Sequence, residues 1–397
     1  MFKAESDLIK ELQLRGYISQ CTDIEKLDEL AKKKKIVAYV GFDCTGESLH
    51  IGSLIQLMLI RILQKTGNQA IVLLGGGTSK IGDPSGKDKT RQLLNDQEIK
   101  KNSQNIKKNI EKFTIKSGAV KKIKYLDNST WLENINYINF LRMYGKNFSV
   151  NKMLTMDSVS ERLKREQPLS FLEFNYMILQ AFDFVELNNR ENCNVQFGGS
   201  DQWGNITAGV DLIRRVNKKE VFGLTTPLIT TSDGNKMGKT DKGAVWLSDD
   251  LLSSNGYWQF WRNVNDKDVI KFLKLFTEIE IDKINKLKNK SSNDVNNNKK
   301  ILADEATGLC HGKNIADSFT LKKDILKNGL EAFKIICLNK KVVKSNSEAR
   351  RLIREGAVKF NGEVITNELS LISNKYVKEN KLEISIGKKN HFSIKII

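Results

Sequence analysis

Ile36-Val37-Ala38-Tyr39-Val40-Gly41-Phe42, running through Asp43-Cys44-Thr45-Gly46 into Leu49-His50-Ile51-Gly52-Ser53, is the stretch that decides the fold. Its opening run is apolar, aromatic or small without alternation, the pattern of a strand buried on both faces. Turn residues follow. Apolar positions then recur at helical spacing: Ile51, Leu54, Ile55, Met58, Leu59, Ile62 and Leu63. Ala70-Ile71-Val72-Leu73-Leu74 is a second buried strand, closed by Gly75-Gly76-Gly77. Strand, helix and strand in so short a span make a βαβ unit, which requires a parallel sheet and a right-handed crossover.

Outward from this unit, helical patterns cover 96–116, 135–144 and 171–184, with Phe174, Met177, Ile178 and Ala181 on one face of the last. Asn194-Val195-Gln196-Phe197-Gly198-Gly199 reads as a further strand and Asn205 to Arg215 as a helix, so an open α/β domain extends to about residue 220. From Leu247 to Leu326 only helical periodicity is visible, and the Lys/Asn/Ser-rich stretch 283–300 reads as an exposed connection. The tail carries a basic helix over Ser347–Glu355 and β-like runs at 358–360, 382–386 and 392–396.

The chain has 397 residues, enough for two to three domains, and 40% of them are apolar. No apolar run approaches the roughly 20 residues of a transmembrane helix. Glu5, Asp7 and Glu11 interrupt the start, which does not read as a signal or transit peptide. Five cysteines without a C-x-x-C pair, and only three histidines, point to free thiols in a reducing compartment, the cytoplasm, and away from a metal cluster. The formal charge of +18 favours polyanionic partners, although 52 Lys against 13 Arg is a bias that composition alone could produce. Its distribution says more. Residues 331–397 hold 14 Lys and Arg against 7 Asp and Glu, so a net +7 falls on 67 residues and +11 on the other 330. That concentration reads as a nucleic-acid module.

In an open parallel sheet, ligands bind outside the carboxyl ends of the strands. Tyr39, Gly41 and Asp43 lie at such an end, as do Gly75–Thr78 and Gly198–Asp201. His50 and Gly52 open the first helix, whose unpaired N–H groups suit phosphate; the plain alternative is that His50 only caps the helix. Lys236 and Lys239 stand in Gly234-Asn235-Lys236-Met237-Gly238-Lys239-Thr240, where two ammonium groups could follow a pyrophosphate, or merely reflect abundant lysine. Gly82-Asp83-Pro84-Ser85-Gly86-Lys87, with Arg91 beyond it, is either a solvated turn or a lid over triphosphate. Tyr176, Gln180 and Asp183 share one helical face, which lines a polar pocket or faces solvent.

Taken in order, these segments closely resemble the signatures of bacterial-type tyrosyl-tRNA synthetases, class I aminoacyl-tRNA synthetases. The resemblance is carried by 39–52, by Ile81–Lys87, by Tyr176-Met177-Ile178-Leu179-Gln180-Ala181-Phe182-Asp183, by 236–240 and most specifically by Gly198-Gly199-Ser200-Asp201-Gln202-Trp203-Gly204-Asn205-Ile206. The tail 344–362 resembles an S4-type RNA-binding domain. The implied α/β architecture is a Rossmann-type catalytic domain (1–225), a mobile lysine-signature loop (226–246), an α-helical tRNA-binding domain (247–328) and a small α+β S4-like domain (329–397). The implied reaction joins L-tyrosine to ATP, forming tyrosyl-adenylate and pyrophosphate, then passes tyrosine to the 3′-terminal adenosine of tRNA(Tyr). Tyr39 and Asp183 would bond the phenol, and Asp83, Tyr176 and Gln180 the ammonium. Asp43, Gly52, Gly199 and Asp201 would contact ATP, Asp201 through the ribose. Thr45, His50, Lys236 and Lys239 would stabilise the transferring phosphates, with Lys87 and Arg91 on a mobile loop, and Arg350, Arg351 and Arg354 would meet tRNA phosphates. The resemblance further implies a homodimer, Mg2+ only as the counter-ion of ATP, no protein-held metal or tightly bound cofactor, and no membrane. Two departures stand out: Ser53 where the first signature usually ends in His or Asn, and Gly238 where many class I enzymes have Ser. A tryptophan enzyme and an RNA-binding protein on a decayed synthetase fold are the rivals. Tyr39 with Asp183 and the appended S4-like tail weigh against the first, and joint retention of His50, Lys236, Lys239 and Asp183 against the second.

Overall fold

The computed structural model describes residues 2–397 except 86–93, 116–120, 233, 235–236, 238, 241–242, 288–290, 313–318, 322, 339–341, 344, 379, 388–389 and 397; at 239, 240, 319, 320, 391 and 395 only the backbone is described. The chain forms two compact units, one of residues 1–248 with 274–285, the other of 249–273 with 286–397.

The first unit is built on a six-stranded sheet of β1 (Gln20–Cys21), β2 (Val37–Asp43), β3 (Gln69–Gly75), β4 (Lys124–Asp127), β5 (Val195–Gly199) and β6 (Phe222–Thr226), in the order β1-β6-β5-β2-β3-β4. All neighbours are parallel except the β1 edge. The chain winds from β2 through β3 to β4, then returns to the other side of β2 for β5 and β6. Strand order therefore reverses between β2 and β5, and a crevice opens at their carboxyl ends. Helix α1 (Leu54–Lys65) makes the first crossover and buries nine of its residues, as its apolar spacing requires. Helix α2 (Asp96–Phe113) starts at an Asn95–Glu98 capping box. Helix α3 (Phe171–Glu191) starts at a Ser170–Glu173 box and ends at Asn192, whose φ of 53° is a left-handed cap. Helix α4 (Trp203–Val216) follows β5 directly. Tyr39, Ile71, Leu73, Phe182, Phe184 and Leu212 pack into one core between the sheet and α3 and α4.

Strands β1, β4 and β6 carry no clear sequence signal. Strand β4 is an edge with charged ends and no fully buried residue, while β6 mixes Gly223 and two threonines into a fully buried strand.

The stretch 283–300 is not one exposed connection. Ser291 and Asp294 form a capping box that starts a helix over Ser292–His311, overriding its polar composition. The tail folds as read, with a helix over Asn346–Arg354 and strands Val358–Phe360, Lys381–Ile386 and Asn390–Ile396. Phe319–Leu321 lies in the stretch read as wholly helical, yet it is a strand, pairing in parallel with Ile394–Ile396. Leu326, Phe333, Ile353, Phe360 and Ile394 form the second unit's own core.

Candidate active site

The crevice at the β2–β5 reversal is a cleft of about 340 Å³. Four carboxylates line it, Asp43, Asp83, Asp183 and Asp201, together with Tyr39, Gly52, Ser53, Tyr176, Gln180 and Gly199. The helical spacing of Tyr176, Gln180 and Asp183 is resolved in favour of the pocket, since all three face the cleft from α3.

Asp183 is 2% exposed and accepts two hydrogen bonds, from Asn128 Nδ2 at 2.9 Å and Trp131 Nε1 at 2.7 Å. Burial dominates and lifts its carboxyl from 3.8 to about 7, against the lowering effect of those two donors. The Tyr39 hydroxyl is buried beneath the cleft with no protein partner. Burial, reinforced by the Asp183 charge, pushes that phenol well above its ordinary value, so it stays a neutral donor. A buried hydroxyl without a protein partner costs about 1–3 kcal/mol, so this position suits a ligand that brings a hydroxyl of its own.

The rest of the polar lining is a network. Tyr176 OH donates to Asp43 at 3.0 Å, Thr78 Oγ1 donates to the same carboxylate at 3.0 Å, and Asn128 Nδ2 donates to Thr78. Gln202 Nε2 donates to Asp83 at 2.7 Å. Asn205 Nδ2 donates to Gln180 Oε1 at 3.0 Å and to Gln202 Oε1 at 3.1 Å. Among these partners, Asn128 and Trp131 escaped sequence reading because they belong to the cap and body of a four-residue helix too short to show periodicity, whereas Thr78 fell within the Gly75–Thr78 strand end already read as facing the crevice. Gln202 and Asn205 stood in plain view within the 198–206 motif.

His50 caps the short 3-10 turn at Ile51–Ser53 by accepting the Gly52 N–H on Nδ1 at 3.0 Å. The plain capping role is therefore real. An acceptor Nδ1 places the ring proton on Nε2, which makes that nitrogen the donor end of the ring. Gly52 has a steric reason as well, since a Cβ there would stand 2.6 Å from His50 Cε1. A Cβ at Gly199 would likewise fall 2.5 Å from Asp201 Oδ1. Ser53 lines the cleft but makes no capping bond for α1. His50 and exposed Thr45 do not line the cleft itself.

The two signatures are joined through the backbone. Met237 N donates to Ile229 O at 2.8 Å, and Lys239–Thr240 pairs with Gly243–Ala244. Ile51 N then donates to Val245 O and Leu247 N to Leu49 O, each at 2.9 Å, setting His50 opposite Trp246. Lys87, Arg91 and Lys236 lie outside the described residues, as does the side chain of Lys239.

In the second unit Arg350, Arg351 and Arg354 are exposed on one helix. Arg350 lies 4.3 Å over the Phe333 ring, and Arg351 and Arg354 approach Glu355 and Glu368 at 2.9 and 3.6 Å. Among the described residues no group of three or more His, Cys, Asp or Glu is placed to hold a metal, and no helix is long and apolar enough to cross a membrane.

The sequence matches known proteins over nearly its whole length. The profile of tRNA synthetases class I (W and Y) covers residues 31–322 and that of the S4 domain 334–368. The tyrosine–tRNA ligases of Pelagibacter ubique and Rickettsia typhi are each 49% identical to the chain, covering 98% of it and 99% of their own length. A C-terminally truncated mitochondrial tyrosyl-tRNA synthetase of Aspergillus nidulans superposes with a TM-score of 0.69 at 29% identity, over 78% of this chain and 91% of its own. With both profiles matched and full-length relatives 49% identical, the chain belongs to the W and Y family of class I tRNA synthetases and, within it, to the tyrosine–tRNA ligases.

Proposed function

We infer that the chain activates L-tyrosine with ATP in this cleft and transfers the tyrosyl group to the 3′-terminal adenosine of tRNA(Tyr). The observation that carries the reading is the cleft floor, where the partnerless Tyr39 hydroxyl and a buried Asp183 held by Asn128 and Trp131 await one ligand hydroxyl. A site built to bond a hydroxyl rejects an analogue lacking it by about 10⁴–10⁵, a magnitude for which tyrosine enzymes are themselves the standard example. Asp83, Tyr176 and Gln180 form the polar wall that takes the ammonium, with Asp43, bonded by the Tyr176 hydroxyl, on the nucleotide side. Gly52, Gly199 and Asp201 take the nucleotide, Asp201 bonding ribose.

The substrate carboxylate is already a nucleophile, so adenylate formation needs positioning and charge stabilisation more than a general base. The Nε2–H of His50 is a donor for developing phosphate charge, with Thr45, Lys87, Arg91, Lys236 and Lys239 the further groups assigned to that task by sequence. Mg2+ arrives as the ATP counter-ion. The helical segment and the S4-like segment take the tRNA, Arg350, Arg351 and Arg354 contributing phosphate contacts. The first unit exposes Tyr137, Ile138, Met143, Val150, Phe171 and Leu172, an apolar surface that supports a homodimer. The five free cysteines fit a cytoplasmic protein.

The test is ATP–pyrophosphate exchange by the purified protein across amino acids. Exchange with tyrosine and neither tryptophan nor phenylalanine is expected, followed by charging of tRNA(Tyr). Exchange with tryptophan instead, or RNA binding without any exchange, would overturn the reading.

A further inference from the structure

One face of α2 is bonded to the turn that precedes His50. Asn109 Oδ1 accepts the Leu49 N–H at 3.1 Å and the Ser48 hydroxyl at 2.7 Å. Two turns earlier on the same face, Asn102 Nδ2 donates to the Cys44 carbonyl at 3.0 Å. Asn102, Asn109 and Ser48 are 6, 8 and 5% exposed, and Ile106 packs between the asparagines at 1%. Outside this pair, Lys101 reaches Glu47 at 3.0 Å, an exposed contact of little weight.

Both asparagines are spent on the backbone of 44–49, a turn with no regular structure to satisfy it. The far side of that turn is held by Leu247 N on Leu49 O and Val245 O on Ile51 N. Leu49 is thus gripped through its N–H by α2 and through its carbonyl by the segment that follows the second signature. His50, the next residue, has no freedom to shift without breaking one grip.

We propose that Asn109 and Asn102 are positioning residues for adenylate formation, fixing the 44–49 turn so that Thr45 and His50 meet the transferring phosphate. Neither lines the cleft, and each acts only through the turn that carries Thr45 and His50. Their loss acts on the transition state alone, lowering kcat while KM is kept. The inference rests on the role assigned to His50.

The two asparagines use opposite ends of their amides, which gives a crossed test. Asn109 is used as an acceptor, so Asn109→Asp keeps the bonds and Asn109→Leu removes them. Asn102 is used as a donor, so Asn102→Asp turns an attraction to the Cys44 carbonyl into a repulsion. Single-turnover adenylate formation and steady-state exchange are measured on the full chain, with His50→Ala alongside. The expected result is a fall of about 10- to 100-fold in rate for Asn109→Leu and Asn102→Asp. KM for tyrosine and ATP should stay within about twofold, and Asn109→Asp should recover most of the rate. If Asn109→Leu does not fold, the two aspartates carry the comparison alone. Equal rates for Asn109→Asp and Asn102→Asp, or a loss that appears in KM and melting temperature but not in kcat, overturns the proposal. A large loss in His50→Ala beside unchanged asparagine variants defeats this inference only; no loss in His50→Ala defeats the reading of the site itself.

Discussion

Changing Asp183 to asparagine removes one negative charge from the cleft floor and leaves its shape almost unchanged. In the free protein that charge is held at a loss. The carboxyl is lifted from 3.8 to about 7, chiefly by burial, and each tenfold change in proton affinity corresponds to about 1.4 kcal/mol. A folded-state value above the unfolded one means that the folded protein binds the extra proton. Asp183 therefore costs nothing below about pH 4, costs progressively more as pH rises toward 7, and by pH 8 costs at most about 4 kcal/mol. Asparagine carries no such cost at any pH. It does lose something else: Asn128 Nδ2 and Trp131 Nε1 both donate to the carboxylate, and an amide oxygen in its place faces only one of them. The other donor, left opposite an amide N–H, costs about 1–3 kcal/mol. Asn128 cannot easily turn over to relieve this, because its Oδ1 accepts the Gly77 N–H at 2.8 Å.

The difference in unfolding free energy between Asp183→Asn and the parent should thus change sign. The variant is weaker near pH 4.5 and stronger by about 1–3 kcal/mol near pH 8. Urea melts of the ligand-free protein at steps of half a pH unit, followed by tryptophan fluorescence, give the curve. The hydrogen-bond loss shifts the whole curve and the titration sets its slope, so the slope alone tests the charge. A difference that stays level from pH 4.5 to 8 would mean that Asp183 titrates normally and that the floor is wetter than its burial indicates. Tyrosine-dependent exchange should be lost in the same variant, making the carboxylate a functional group kept against stability.

Three further outcomes follow from the geometry. Tyr39→Phe removes a buried hydroxyl that has no partner, so melting temperature should hold or rise while kcat/KM for tyrosine drops about tenfold and discrimination against phenylalanine shrinks; a fall in stability would show that the hydroxyl is already satisfied. Gly52→Ala drives a methyl to within 2.6 Å of His50 Cε1, and exchange should fall at least about tenfold in a protein that still melts cooperatively, whereas parental kinetics would free His50 from its role. Changing Arg350, Arg351 and Arg354 together to glutamine should leave exchange within about twofold, weaken tRNA charging and flatten its salt dependence; an unchanged salt slope would move the RNA contact elsewhere.

What could be read from the sequence, and what could not, divides along a physical line. The β2–α1–β3 unit declared itself because its residues are buried by periodicity, and periodicity is local. Tyr176, Gln180 and Asp183 were legible as one face for the same reason, yet their spacing could not say whether that face met solvent or a pocket. Deciding it took β5 returning to the far side of β2, a non-local event that places Gly198 and Gly199 beside Asp43's strand. The residues that support the site were invisible for the complementary reason. Asn128, Trp131, Asn102 and Asn109 each act on a partner more than fifty residues away in sequence, and nothing in their neighbours marks them. Asn102 and Asn109 were hidden further by a chain with 37 asparagines, where two more on a polar helix attract no notice. Burial is what separates them from the rest: a side-chain amide under 10% exposed in a helix otherwise studded with lysine must have a bonded partner. That partner is the turn carrying the first signature. A sequence thus displays the groups that meet substrate, because chemistry restricts their type, while the groups that aim them are restricted only by position and emerge once the chain is folded.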